Sequence, residues 1–382
     1  TGCNEDVGNA YGFCFLYSGN FVFDAEVDGY NQTRVAMGIH PRQFEFCVGA
    51  GETFEAPEAV LAYSGEGLSG LSHRFHDLFR ENACESKYVK GKRPIPLNSW
   101  EPFRFDFNSD SILKTAEYAK RLGADLFVLD DGWFGARNDS RAGLGDWTVN
   151  ETKLPGGIKA LSDRIHAIGM QFGLWFEPEM VNEDSDLYRA HPDWCLHVPG
   201  RAPSKSRYQL CLDLSRPDVC EYLIETVNRI LDAGDIDYVK WDYNRYVCDA
   251  YSIHYPPERQ GEIYHRYMLG VYRLLDGIVK THPNILFEGC SGGGGRFDGG
   301  MLTYFPQIWC SDNTDAPSRW GIQYGTSFAY PISSIGAHVS VCPNQRTKRS
   351  VPLFTRAVTA MHGTFGYELD PAKMTEKEIA EC

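Results

Sequence analysis

The sequence predicts an α/β fold, a (β/α)8 barrel preceded by part of an antiparallel β-sandwich domain. From residue 94 onward, eight short apolar segments alternate with segments of helical periodicity, which is the pattern of parallel strands joined by helices. The residues before them alternate apolar and polar side chains between turn signals, as antiparallel strands do. A chain of 382 residues is long enough for one elaborated barrel and part of a second domain.

Residues 1–66 are predicted to be the C-terminal part of the β-sandwich domain. In the segment GFCFLYSGNFVFDAEVDGYNQTRVAMGI, turn residues at 18–20 and 28–29 separate alternating runs. The pattern then changes in LSGLSHRFHDLFRENAC, where leucine and phenylalanine recur on one helical face. Residues 67–93 are therefore predicted to be a helical connector.

The barrel is predicted to occupy residues 94–382. Its eight strand candidates are, in order, IPLNSW, LFVLDD, QFGLWFE, DYVKWD, ILFEGCS, QIWCSD, SIGAHVS and GTFGYEL. Helical periodicity is found between them at 109–122, 157–168, 217–233, 260–281 and 350–361. The helix after the last strand has barely begun when the chain stops at Cys382, so the sequence is expected to be an excerpt that is truncated at its end.

Composition excludes some classes of partner. The net charge of −14 disfavours nucleic acid, because an acidic protein repels phosphate backbones. The sequence contains no run of about 18 apolar residues, so no membrane segment is expected. The twelve cysteines include no C-x-x-C pair, which makes a structural zinc site improbable. We expect free, buried thiols in a reducing compartment, hence the cytoplasm. A signal peptide cannot be assessed, because the chain begins at Thr1 without a Met.

Polar and aromatic residues stand where six of the predicted strands end, and in such barrels the chemistry lies at the carboxyl ends of the strands. These residues are Trp100, Glu101, Asp130, Asp131, Trp175, Glu177, Glu179, Lys240, Asp242, Cys290 and Asp312. A single acidic residue after a strand is as often the N-cap of the next helix, but that interpretation weakens when six strands end alike. The tryptophans are either core residues or platforms for a sugar ring. Glu177 and Glu179 are expected to orient neighbours rather than to act as catalysts.

The segment DYVKWDYNR places Lys240 and Asp242 on one face of a strand whose other face carries Val239 and Trp241. A charge is costly to bury unless it is paired or has a function. From the residues alone, these two side chains are therefore expected either to be paired or to have a function.

The segments DDGWFGARNDSRAGLGDW, GLWFEPEMV, YVKWDYNR, EGCSGGGGRFD and WCSDNTDA resemble those of glycoside hydrolase family 36, the retaining α-galactosidases. The resemblance covers residues 94–370, and residues 1–65 resemble the end of that family's N-terminal β-supersandwich. It implies that Asp242 is the nucleophile and Asp312 the general acid/base. Retaining glycosidases carry two carboxyl groups roughly 5–5.5 Å apart, one ionised and one protonated. Lys240 favours the ionised nucleophile, and partial desolvation raises the pKa of Asp312.

The resemblance also implies roles in sugar recognition. Asp130 and Asp131 correspond to the pair that accepts hydrogen bonds from the galactose 4- and 6-hydroxyls, and Trp175 to the aromatic wall. Arg207 corresponds to a substrate-binding arginine. Cys290 and Gly293 correspond to residues near the 2-hydroxyl, where a 2-acetamido group needs space. The remaining predicted substrate-binding residues are Trp100, Lys240, Asn244 and Trp309.

The sequence thus predicts a retaining exo-α-galactosidase that removes terminal galactose from oligosaccharides such as raffinose or melibiose by double displacement. No metal and no cofactor are expected, and the resemblance implies a homo-oligomer, a tetramer in the full-length protein. The alternatives are an α-N-acetylgalactosaminidase, a galactosyl transferase of the same fold, and a catalytically silent sugar-binding protein. A phosphate-binding barrel enzyme is disfavoured by the acidic strand ends.

Overall fold

The computed structural model describes residues 2–382 and contains a closed barrel of eight parallel strands. These described residues fold into fourteen strands, β1 to β14, and ten α-helices, α1 to α10, numbered in chain order. The barrel strands are β5 (Pro96–Asn98), β6 (Leu126–Leu129), β7 (Gln171–Phe176), β10 (Tyr238–Trp241), β11 (Leu286–Gly289), β12 (Gln307–Trp309), β13 (Ile335–Ser340) and β14 (Thr364–Glu368). Each of the eight predicted strands contains one of them, so the predicted (β/α)8 barrel is confirmed.

Helices connect the barrel strands. They are α2 (Trp100–Phe103), α3 (Ser109–Arg121), α4 (Gly157–Ala167), α5 (Asp186–Ala190), α6 (Pro217–Gly234), α7 (Ile263–Val279), α8 (Ala316–Ser327), α9 (Leu353–Ala360) and α10 (Glu376–Glu381). The five predicted helices are all present, with ends shifted by up to three residues. Local signals set these ends: Asn108 caps α3 in a capping box with Ser111, and α6 begins at Pro217. Helices α2, α5 and α8 were not predicted.

A short antiparallel pair interrupts the strand–helix alternation after β7. It consists of β8 (Met180–Asn182) and β9 (Gln209–Cys211), and it lies in the long connection between β7 and α6. The pair anchors the loop that carries Arg207 beside the barrel mouth. This pair was not predicted, because strands of only three residues carry too short a pattern to detect.

The N-terminal segment is antiparallel, as predicted. Its strands are β1 (Ala10–Phe15), β2 (Phe21–Val27), β3 (Thr33–Ile39) and β4 (Ala59–Ser64); β1 pairs with β4, and β2 pairs with β3. Helix α1 (Gly67–Leu78) follows and continues as a π-helical turn to Ala83. The predicted connector is therefore helical only in its first part, and residues 84–95 form turns and loop. The proposed division of the chain into three segments stays a prediction.

The two faces of β10 have the orientations that the sequence predicted. Val239 and Trp241 are fully buried in the apolar core, while Lys240 and Asp242 line the cavity at the barrel mouth. The alternation follows from the two-residue period of a strand. Strand β10 thus delivers two charged groups to the site and two apolar groups to the layer between the strands and helices.

The cysteines differ in part from the expectation. All twelve are free thiols, but only five are buried: Cys195, Cys211, Cys220, Cys290 and Cys310. Five others are exposed and two are half-buried. The apolar segments around the buried thiols predicted their burial, whereas the exposed thiols lie in loops and at the chain ends, where no packing covers them. In the described part of the chain, every helix is too short or too polar to cross a bilayer.

Candidate active site

A cavity of about 190 Å³ opens at the carboxyl ends of the barrel strands. Eleven of the twelve residues predicted to form the site line it: Trp100, Asp130, Asp131, Trp175, Arg207, Lys240, Asp242, Asn244, Cys290, Trp309 and Asp312. The twelfth, Gly293, does not line the cavity but packs directly behind Asp312. The structure therefore brings the predicted set together, while the role of each residue stays a prediction.

Asp242 follows β10 and is held by four N–H donors. Its Oδ1 accepts hydrogen bonds from the backbone N–H groups of Tyr243 at 2.8 Å and Gly292 at 3.2 Å. Its Oδ2 accepts from the side chains of Asn244 at 2.7 Å and Trp175 at 3.1 Å. Burial alone raises the pKa of Asp242, but the charge of Lys240 and these donors outweigh it and lower the pKa below its ordinary value. The carboxylate is thus fixed in place and ionised.

Lys240 forms an ion pair across the cavity floor with Asp130. The Lys240 Nζ lies 2.9 Å from Asp130 Oδ2, which also accepts a hydrogen bond from Asn98 at 2.7 Å. Burial lowers the pKa of Lys240, yet the nearby negative charges, that of Asp130 foremost, raise it well above its ordinary value. Lys240 therefore stays charged and keeps a positive potential beside Asp242.

Asp312 follows β12 and is less constrained. Its Oδ1 accepts one hydrogen bond, from Trp309 Nε1 at 3.1 Å, and Arg346 Nη2 lies 3.9 Å from its Oδ2. Although 41% of the side chain is exposed, it stands in a concave wall rather than in open solvent. Burial and then the negative charge of Asp242 raise the pKa of Asp312 above its ordinary value. The pKa values of the two carboxyl groups are thus displaced in opposite directions, which is the condition for an acid and a nucleophile to coexist.

The loop after β11 contacts the carboxylate of Asp242 and the backbone of Asp312. Gly292 donates to Asp242, and a Cβ built on Gly293 would lie 2.8 Å from the backbone N of Asp312. Gly293 has a φ of +100°, a conformation that side chains rarely adopt. Glycine is needed at this position for both reasons. The loop therefore contacts both catalytic candidates. It begins next to Cys290, and burial raises the pKa of the Cys290 thiol well above its ordinary value.

Asp131 is clamped by a buried arginine. Arg137 Nε lies 2.9 Å from Asp131 Oδ1 and its Nη2 lies 2.7 Å from Oδ2, while Nη1 donates to Asn182 at 2.9 Å. Burial raises the pKa of Asp131, and Arg137 opposes that rise. Arg207 lines the cavity from an exposed loop, with a left-handed φ of 53°. The sequence did not single out Arg137, because an arginine six residues from its partner in a glycine-rich loop carries no periodic signal.

Glu177 and Glu179 are buried next to the site, and Glu177 contacts one of its residues, Asn244. Glu177 is fully buried; its Oε1 accepts from the backbone N–H of Asn244 at 2.6 Å and its Oε2 from Gln209 at 2.8 Å. Glu179 pairs with Arg296 through contacts of 2.6 and 3.0 Å. Both hold neighbours, as the sequence suggested. Burial and then the charge of Asp242 raise the pKa of Glu177 to about 8.

This raised pKa predicts a pH-dependent effect of Glu177→Gln on stability. Between the ordinary value of 4.5 and about 8, the unfolded chain has lost the proton that folded Glu177 keeps. Its contribution to the free energy of unfolding therefore falls as pH rises. The variant removes this loss, so its melting temperature relative to the wild type should rise from about pH 5 to about pH 8.

The matched control is Glu179→Gln, which leaves the buried Arg296 without its carboxylate partner and should be destabilised at every pH. Thermal unfolding of the three proteins across this range measures both effects. A constant difference between Glu177→Gln and the wild type would show that Glu177 is ionised in the folded protein.

Five further residues line the cavity and were not predicted as site residues: Glu101, Thr314, Gln345, Arg346 and Glu368. The sequence placed Glu101 at the end of a predicted strand but gave it no role in the site. Glu368 ends β14, so the same strand-end rule could have found it. Burial raises the pKa of Glu101 to about 7. Gln345 and Arg346 lie in the loop after β13, where the sequence offers no motif.

One group of side chains elsewhere is close enough to share a cation. Asp163, His166 and Asp235 lie together on α4 and after α6, on the side of the barrel where the strands begin. His166 also hydrogen-bonds to Asp237 Oδ2 at 2.8 Å. The aspartates are exposed, and the group is remote from the cavity, so it has no part in the site.

Sequence comparisons identify relatives of the chain. A family model described as Melibiase matches residues 53–382, and one described as the glycosyl hydrolase family 36 N-terminal domain matches residues 1–48. The chain is 54% identical over 375 residues to alpha-galactosidase AgaA of Geobacillus stearothermophilus, covering 98% of this chain and 51% of that protein. It is 53% identical over 377 residues to the bifunctional alpha-galactosidase/sucrose kinase AgaSK of Mediterraneibacter gnavus, covering 99% of this chain and 40% of that protein.

Structural comparison agrees with these matches. The crystal structure of AgaA superposes with a TM-score of 0.98 at 53% identity, covering 100% of this chain and 53% of that chain. Variants of AgaA have been solved in complex with raffinose and with stachyose. The chain spans about half the length of these relatives. Since the Melibiase match extends over most of the sequence and the N-terminal match precedes it, the chain belongs to the melibiase family, within glycoside hydrolase family 36.

Proposed function

We propose that the protein is a retaining exo-α-galactosidase that hydrolyses terminal α-linked galactose from oligosaccharides such as raffinose or melibiose. The observation that carries the proposal is the pair Asp242 and Asp312 on one cavity, with the pKa of the first lowered and that of the second raised. Its relatives support the substrate, since variants of AgaA were solved in complex with raffinose and with stachyose.

In the first step Asp242 is the nucleophile. One of its oxygens attacks the anomeric carbon from the β face, and the bond from that carbon to the leaving oxygen breaks. Asp312 gives its proton to that oxygen, so the leaving sugar departs as a neutral alcohol. The product of this step is a β-linked galactosyl-enzyme ester on Asp242, with Asp312 now ionised.

In the second step Asp312 acts as a base. It takes a proton from a water molecule, whose oxygen attacks the anomeric carbon from the α face and releases Asp242 as a carboxylate. Two inversions leave the product as α-galactose, and both carboxyl groups return to their starting states. The raised pKa of Asp312 suits it to hold a proton before the first step and to regain one in the second.

The other cavity residues would bind the terminal galactose. Asp131, fixed by Arg137, and Asp130, paired with Lys240, present carboxylate oxygens to hydroxyl groups. Trp175 supplies an apolar face and holds Asp242 through its indole N–H. Because the interior of such a barrel is packed with side chains, the cavity would be closed at its base and accept the end of a chain and not its middle, which fits exo cleavage.

An α-N-acetylgalactosaminidase is the second candidate, because the two activities differ only at the 2-position of the sugar. The resemblance implies that Cys290 and Gly293 lie near the 2-hydroxyl, where a buried thiol and a close-packed glycine loop would restrict the space for a 2-acetamido group. The test is turnover of an aryl α-galactoside against the matching aryl α-N-acetylgalactosaminide by the full-length protein, with proton NMR of the first-formed sugar. Faster release of N-acetylgalactosamine, or initial release of the β anomer, would overturn the proposal.

We further propose that the full-length protein is a cytoplasmic homo-oligomer, a tetramer as in the family it resembles. Twelve free thiols fit a reducing compartment. Light scattering of the full-length protein measures the oligomeric state, and a monomer at micromolar concentration would contradict the tetramer.

Recognition of the axial 4-hydroxyl predicts a large effect of Asp131→Asn. The change keeps the shape of the side chain but replaces one charged acceptor, so kcat/KM for galactosides should fall by about 10²-fold, in line with the loss of a hydrogen bond to a charged group. Steady-state kinetics measure this loss. Because the substitution leaves the buried Arg137 without its carboxylate partner, thermal unfolding is needed to confirm that the variant is still folded. An unchanged kcat/KM would exclude Asp131 from sugar recognition.

A further inference from the structure

A buried arginine stands behind the loop that carries Asp312. Arg319 lies in the first turn of α8, and only 3% of it is exposed. Its Nη2 donates to the carbonyl of Ser311 at 2.7 Å, and its Nε donates to the carbonyl of Asn313 at 3.0 Å. These two residues flank Asp312, so one guanidinium group holds the backbone on both sides of that carboxyl group.

The same guanidinium group fixes the hydrogen-bond partner of Asp312. Its Cζ lies 4.3 Å from the centre of the Trp309 ring, and the Trp309 Nε1 donates to Asp312. Its Nη1 donates to the carbonyl of Gly336 at 3.0 Å, which ties the loop to β13. Arg319 therefore contacts the strand, the tryptophan and the loop that together determine where Asp312 stands.

The acceptors are unusual for a buried cation. In the described part of the chain Arg319 forms no salt bridge, and its acceptors are neutral: three carbonyls, the Cys310 sulfur and the Gln323 amide oxygen. A buried charge without a carboxylate is costly, and burial lowers the pKa of this guanidinium. A planar group with five fixed donors can reach both carbonyls at once, which a lysine ammonium cannot do.

We propose that Arg319 is a positioning residue for Asp312, holding the acid/base loop at the distance and angle that proton transfer needs. The inference rests on the proposed function, since it assigns Arg319 a role only in the two proton transfers made by Asp312. Asp242 is held by other groups, namely Asn244, Trp175 and the loop after β11. Loss of Arg319 should therefore weaken proton transfer and leave nucleophilic attack intact.

The test compares substrates that differ in their need for an acid. Arg319→Lys should lower kcat/KM for melibiose by about 10–10²-fold, part of the 10²–10⁴-fold that acid catalysis supplies. The kcat/KM for 2,4-dinitrophenyl α-galactoside, whose leaving group needs no proton, should change less than about threefold. Arg319→Gln buries no ammonium and gives a second test if the lysine variant fails to fold.

Two further variants separate the possible failures. Gln323→Leu, one helical turn along α8, also touches the guanidinium but not the Asp312 loop, so it should lower stability without changing the ratio of the two kcat/KM values. Asp312→Asn reports on the proposed function itself. If it shows no dependence on the leaving group, the proposed function is wrong. If it does, and the Arg319 variants slow both substrates equally, the positioning role of Arg319 is overturned.

Discussion

Asp242→Asn should abolish turnover of every α-galactoside, whatever its leaving group. Both steps of double displacement pass through the ester on this residue, and an amide is a poor nucleophile. The rate should fall by a factor on the order of 10⁴ or more, the range found when an enzyme loses its nucleophile. Steady-state kinetics with melibiose and with dinitrophenyl α-galactoside measure the loss, which should be equally severe for both substrates.

The structure adds a reason for the severity. The two carboxylate oxygens of Asp242 accept from four N–H donors, so an Asn side chain must turn its NH₂ group toward at least one of them. Asp242→Gly avoids this conflict and leaves an empty space beside the anomeric carbon. Azide entering that space attacks from the β face and should give β-galactosyl azide in a single inversion. Formation of the α-azide would show that Asp242 is not the nucleophile.

Much of the site could be predicted because barrels place their chemistry at one end. Once eight apolar segments are recognised as strands, the residues that follow them must meet around one mouth. The pair Lys240 and Asp242 shows this at the scale of one strand, since the two-residue period alone assigned their face. The resemblance of long motifs to a known family then suggested which carboxyl group attacks and which one protonates.

Residues that act through loops escaped prediction. Arg346 and Gln345 reach the cavity from the loop after β13, and the path of a loop depends on packing that the local sequence does not encode. Arg137 and Arg319 are buried cations, whereas arginine on a sequence is normally assigned to the surface. Arg137 pairs with a carboxylate, whereas Arg319 donates to backbone carbonyls. Every residue has a backbone carbonyl, so the sequence does not show which ones an arginine will bind.

Asp312→Asn should instead give losses that depend on the leaving group. Natural sugars leave as poor alkoxides, so kcat/KM for melibiose should fall by about 10²–10⁴-fold, the contribution of general acid catalysis. For dinitrophenyl α-galactoside the first step needs no proton and kcat/KM should stay near that of the wild type. The second step still needs a base, so the galactosyl-enzyme should accumulate and a burst of dinitrophenol should precede a slow steady state.

Azide provides the decisive check on this variant, because it attacks without a general base. In Asp312→Asn it should enter from the α face, where water normally attacks, restore kcat for dinitrophenyl α-galactoside, and release α-galactosyl azide. This anomer is opposite to the one expected from Asp242→Gly, since the acid/base variant still forms the ester on Asp242 and inverts the anomeric carbon twice.

Arg346→Met is a matched control, because Arg346 lies 3.9 Å from Asp312 without holding its backbone. This variant should show neither the burst nor azide rescue. Proton NMR separates the two azides. If the variants gave the reverse pair of anomers, the roles of Asp242 and Asp312 would have to be exchanged.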